Sequence, residues 1–181
     1  MKMVRFRVFE AVNSRRTRGC RGFTLIELMV TVALIAILAT VAAPSFNEAI
    51  LNNKLKSITS DFIASAQLAR SEAIKRNSIV QLCVVATDIS TSCTTNGDWE
   101  QGWIVISGTT VIQRQQALPA GYRLTAGTIK SIDFQSIGAG ATAATLTLCR
   151  ASPSPGDQER VITISATGRT SVSTTRTGIC S

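Results

Sequence analysis

The chain has no histidine and a single tyrosine. Without imidazole it lacks the side chain that most often acts as general base or metal ligand near neutral pH. Its many Ser and Thr hydroxyls therefore have no base to activate them. Acid is scarce at both ends: Glu10 is the only carboxylate in the first 22 residues, and none occurs from Arg160 onward. A phosphate-cradling glycine loop, a metal-ligand cluster and an internal repeat are missing as well. These absences argue against an enzyme, and no cofactor is expected. At 181 residues the chain supports one domain with a real core, but not two comfortable ones.

What is present begins with charge. The net charge is +8, yet residues 1–22 carry seven basic residues (Lys2, Arg5, Arg7, Arg15, Arg16, Arg18 and Arg21) against Glu10. After Gly22, 12 basic and 10 acidic residues remain, a balance of +2. The basicity thus belongs to the N-terminal segment. Beside an apolar run it orients that end toward the cytoplasm. The run itself is Phe23 to Ala43, with Glu27 its only ionisable residue. As a helix rising ~1.5 Å per residue it spans roughly 30 Å, one hydrocarbon thickness. A cleavable secretory signal would be shorter and would end in small residues, and neither holds here. Cys20 precedes the run among arginines and is a poor lipidation site.

Helical periodicity continues past Pro44. Leu51, Leu55, Ile58, Phe62, Ala66, Ala69 and Ala73 recur at intervals of three or four, with Asn52, Lys56, Ser60, Gln67 and Arg70 elsewhere on the helix. One long helix is expected from Phe23 to about Asn77, apolar all round in its first half and amphipathic in its second. Pro44 should bend or loosen it without ending it. Short β-branched segments then follow between Gly- and Pro-bearing turns: 79–87, 103–107, 111–117, 122–125, 131–135, 144–150, 160–166 and 171–175. The fold class expected is α+β, the amphipathic half of the helix burying its stripe on one or two antiparallel sheets. The organisation expected is a basic leader at 1–22, a membrane and assembly helix at 23–43, an amphipathic half at 44–77 and a β-rich domain at 78–181.

Four cysteines, Cys83, Cys93, Cys149 and Cys180, lie beyond the apolar run. An even number outside a cytoplasm-facing leader indicates two disulfides in an oxidising periplasm, with buried free thiols as the alternative. The strand reading favours Cys83 with Cys93 and Cys149 with Cys180, each stabilising by about 2–4 kcal/mol. The other two pairings stay open.

The stretch Arg21-Gly22-Phe23-Thr24-Leu25-Ile26-Glu27-Leu28 resembles the processing site of type IV pilins and type II secretion pseudopilins. Two further stretches are similar to the GspH/FimT group of minor pilins: Ala69-Arg70-Ser71-Glu72-Ala73-Ile74-Lys75-Arg76 before the first strand, and Trp99-Glu100-Gln101-Gly102-Trp103 leading into the second. The resemblance implies a pilin-like fold and cleavage by a prepilin peptidase between Gly22 and Phe23. It also implies methylation of the new amino terminus at Phe23, and assembly that depends on Glu27. The physics agrees: a carboxylate one turn into a membrane span costs several kcal/mol unless it finds a partner. The ammonium of Phe23 on a neighbouring subunit is such a partner. The partners implied are the prepilin peptidase, other pilins or pseudopilins and the inner membrane. The chain would be a single-pass protein with its C-terminal domain in the periplasm, extracellular once built into a pilus. The two tryptophans read as core anchors. Arg70, Glu72, Lys75 and Arg76 read as a solvated face with Glu72–Arg76 pairing.

FimT-type pilins of DNA uptake carry a C-terminal Gly-Arg-x-Arg element. Here the matching residues are Gly168-Arg169-Thr170-Ser171, so the second arginine is absent and Arg176 would have to replace it. Arg160, Arg169 and Arg176 are the DNA-contact candidates, expected to bind weakly, without sequence preference and with strong salt dependence. The leading reading is a minor type IV pilin of the pilus or its initiation complex. The rivals are a minor type II secretion pseudopilin, a dedicated DNA receptor and a periplasmic single-pass protein that never polymerises.

Overall fold

The computed structural model describes residues 22–153, 158–178 and Cys180, with the backbone alone described at 41–44. Helix α1 runs Leu25–Arg76, continuing through Pro44. Compactness divides the chain into one unit ending at Pro44 and another beginning at Ser45. In the first unit the helix has no other described element beside it, and its large apolar side chains from Leu25 to Leu38 are exposed. Taken singly, no described helical segment is long and apolar enough to cross a membrane. Leu25–Thr40 and Ser45–Arg76 together meet that test of length and composition.

In the second unit the expected stripe becomes the core. Leu55, Ile58, Phe62, Ala66, Ala69 and Ala73 are all buried, while Leu51 is only half-buried at the margin. The alanines let the backbone approach the sheets closely. The helix stops at Asn77, whose φ of 48° is left-handed. Ser78 N–H bonds the Ala73 carbonyl and Asn77 N–H bonds that of Ile74, the pair of contacts that closes a Schellman cap.

Among the described residues eight strands follow: β1 Val80–Val84, β2 Trp103–Ser107, β3 Thr110–Gln115, β4 Tyr122–Thr125, β5 Ser131–Phe134, β6 Ala144–Arg150, β7 Glu159–Ile164 and β8 Thr170–Thr175. They form two antiparallel sheets, β3-β2-β1-β5 and β4-β6-β7-β8. Both contribute to one core with the helix. β1 and β2 are buried on both faces, because Cys83, Val85, Ile104 and Ile106 make a second cluster on the side away from the helix. This explains why β2 reads as a continuous apolar run rather than an alternating one.

The strands differ from the sequence expectation mainly at their ends. β1 stops at Val84 rather than Thr87, because the chain turns there through Thr87 and Ser90 and returns Cys93 to Cys83. β3 stops at Gln115 because its partner β2 begins at Trp103, opposite it. β7 ends at Ile164, where Gly168 N–H bonds the Ser165 carbonyl to close the turn into β8.

Candidate functional site

Gly22 and Phe23 precede the helix and are exposed, with open space around the Gly22 α-carbon. Thr24 begins the helix. Its carbonyl accepts from Leu28 N–H at 3.1 Å and its hydroxyl from Glu27 N–H at 3.3 Å. This places Glu27 in the first turn, where the helix dipole favours a carboxylate. Among the described residues no side chain pairs with Glu27. Around it Phe23, Leu25, Ile26, Leu28 and Met29 are more than half exposed. One carboxylate thus stands among exposed apolar side chains.

The cysteines are joined as Cys83–Cys93 and Cys149–Cys180, with Cα separations of 5.5 and 5.6 Å. The first fixes the loop over the outer face of β1 and β2. The second ties the C-terminal tail to β6. Cys20 lies outside the described residues, as do the basic residues of segment 1–22.

The three arginines proposed for DNA do not converge. Arg160 is on β7, its guanidinium held by Thr174 on β8 and by Gln158. Arg169 sits in the β7–β8 turn and Arg176 just beyond the far end of β8, both exposed. A strand of six residues at ~3.3 Å each separates them by about 20 Å. Arg176 therefore does not replace the missing second arginine beside Arg169, because the tail runs on from the opposite end of the strand. Beside Gly168 lies a helix side chain: a Cβ at Gly168 would lie 3.3 Å from Arg70. Arg70 Nε donates to the Gly138 carbonyl at 3.0 Å. It departs here from the solvated face expected of it, whereas Arg76 and Lys75 do pair with Glu72 at 2.6 and 3.3 Å. The Arg76 hydrogen bond holds the Glu72 carboxyl below its usual pKa.

Some structural contacts had no sequence signal. Arg150, at the end of β6, is buried and donates to both carboxylate oxygens of Glu48 at 3.1 and 2.8 Å. Tyr122 O–H donates to the Leu51 carbonyl at 3.0 Å. Both bind β6 or β4 to the helix across long sequence separations that no local pattern announces.

The prokaryotic N-terminal methylation motif matches residues 17–43. The model of the type II transport protein GspH matches residues 59–168, more than half of the chain. The chain belongs to the GspH family. It is a minor pilin or pseudopilin of this type, and its methylation motif implies prepilin peptidase processing and assembly with other pilins. No curated protein sequence matches it. Among solved structures, the type IV minor pilin FimU of Pseudomonas aeruginosa is 20% identical with a TM-score of 0.53, over 67% of this chain and 90% of that one. The minor pseudopilin EpsH of the Vibrio cholerae type 2 secretion system is 15% identical with a TM-score of 0.47, over 66% and 96%. The FimU likeness establishes the pilin-like α+β fold.

Proposed function

We propose that this GspH-type chain is a minor subunit of a type IV pilus or of its initiation complex. Residues 1–22 form a leader removed between Gly22 and Phe23. Phe23 is N-methylated, 23–43 anchors the subunit in the inner membrane before assembly, and 44–181 faces the periplasm. The observation that carries this reading is Glu27, a carboxylate without a described partner on an exposed apolar helix. Paired with the Phe23 ammonium of a neighbouring subunit inside a low-dielectric bundle, it favours docking and sets the axial step. Gly22→Ala should leave a longer precursor in the membrane and abolish incorporation. Glu27→Gln should be processed normally yet be lost from sheared filaments. Normal filament incorporation of either variant would overturn the assignment.

The description of the matching family model favours a second reading, a minor pseudopilin of a type II secretion system. Deletion separates the two: loss of surface pili supports the first, and accumulation of exoproteins in the periplasm the second. DNA contact is a subsidiary reading supported by the exposed Arg169 and Arg176 on a hairpin that has no acid after Glu159. Gel retardation at low salt that vanishes in Arg169→Gln/Arg176→Gln supports it; no retardation removes it.

A further inference from the structure

We propose that the outer edge of β8 is a docking site for an extended segment of another protein chain, one carrying two carboxylates seven residues apart. An exposed sheet edge presents unpaired backbone donors and acceptors, and proteins usually protect it with charge, proline, a bulge or brevity. The other three edges are protected. β3 carries Arg114 and pairs through a register shift at Val105/Ile106. β4 has four residues including the exposed Arg123, and β5 has four including Asp133. β8 has none of these devices. Its sequence, Thr-Ser-Val-Ser-Thr-Thr, holds no charge, proline or glycine, and Ser171, Val172, Ser173 and Thr174 are exposed in succession.

Among the described residues, the chain beyond β8 turns inward and does not cover this edge. Thr177 bonds Glu159 on β7, and Cys180 is joined to Cys149 on β6. On the helix side, Val172 lies opposite the buried Ile162 at the margin of the core. An added strand would cover Val172 and enter the groove that Gln67, Arg70, Ile74 and Thr170 line beside the start of β8.

The charges select the occupant. Arg169 and Arg176 bracket the strand, exposed and without an ion pair among the described residues. If a second copy docked antiparallel about Val172 and Ser173, each Arg169 would face the other copy's Arg176. Both ends would repel, so the edge disfavours itself. A strand with carboxylates at the two facing positions makes both ends attractive and gains the backbone ladder between them.

The test uses the full chain in detergent micelles and two Val/Thr peptides, one with Asp and one with Lys at positions seven residues apart. Amide hydrogen exchange reads occupancy. The Asp peptide should slow exchange within Thr170–Thr175 by about tenfold or more, and the Lys peptide should not. Arg169→Glu/Arg176→Glu, at two exposed side chains, should transfer protection to the Lys peptide. Arg176→Glu alone makes the edge self-complementary and should convert the chain to a dimer through β8, while the double reversal should not. The proposal is overturned if neither peptide protects β8, if both protect it equally, or if reversal leaves the preference unchanged. It is also overturned if an oligonucleotide protects these residues where the Asp peptide does not, which would assign the edge to nucleic acid.

Discussion

Tyr122 is the chain's only tyrosine, so its titration can be read without ambiguity. Burial raises its pKa above the usual phenol value, and Glu48 adds to this while Arg150 opposes it. The neutral phenol donates to Leu51, which the phenolate cannot do. The sign follows: the contribution is complete below the ordinary phenol pKa of about 10 and is lost as pH climbs through the raised folded value. Ultraviolet titration of the folded chain should therefore give a midpoint above that of free tyrosine, and Tyr122→Phe should cost about 1 kcal/mol in thermal unfolding. Phe62 lies edge-on to both Trp99 and Trp103, with centroids 5.4 and 5.2 Å away. Truncating it to Ala should cost about 3–5 kcal/mol. Each tryptophan also satisfies its indole N–H, Trp99 on the Ile129 carbonyl and Trp103 on the Ser65 hydroxyl. Gly102 has no room for a side chain: φ is 101° and a Cβ would lie 2.4 Å from the Gln115 carbonyl oxygen. Gly102→Ala should consequently part β2 from β3, seen as loss of slow-exchanging amides in both.

At the scale of elements, the helix end and the tail carry the clearest expectations. Asn77 adopts a left-handed conformation that glycine takes at no steric cost. Asn77→Gly should leave the cap intact and stabilise slightly, whereas Asn77→Val should destabilise by about 1–2 kcal/mol. A denaturant series on the two variants distinguishes these outcomes. The Cys149–Cys180 link closes a separation of 31 residues. Replacing both by Ser should lower stability by about 2–4 kcal/mol and raise amide exchange in residues 176–178 before it affects the sheets.

Across the whole molecule, the two halves of the helix obey different solvents. From Ser45 onward the apolar stripe is covered by this chain's own sheets. From Phe23 to Leu38 the large apolar side chains are exposed, covered by nothing among the described residues. Glu27→Gln should thus leave the unfolding midpoint of the β-rich unit unchanged while filament incorporation falls. A drop in both would make Glu27 a folding residue rather than an assembly one.

Much of this was legible in local pattern. The 3.6-residue period marked the buried stripe, and the turns marked all eight strands. The exposed apolar run from Phe23 and the lone Glu27 within it needed only composition. These features are legible because they rest on periodicity and composition within a short window. Strand ends, by contrast, were set by partners: β3 ends where β2 begins, and β1 ends where Cys93 returns. Arg70 reads as solvated by sequence and is tied to Gly138, because only the packed loop supplies that carbonyl. The arginines of the tail show the same division. Sequence establishes that they are three basic residues in an acid-free stretch. The hairpin decides that Arg169 and Arg176 stand at opposite ends of an open edge, because strand pairing converts seven residues of sequence into a fixed distance and direction.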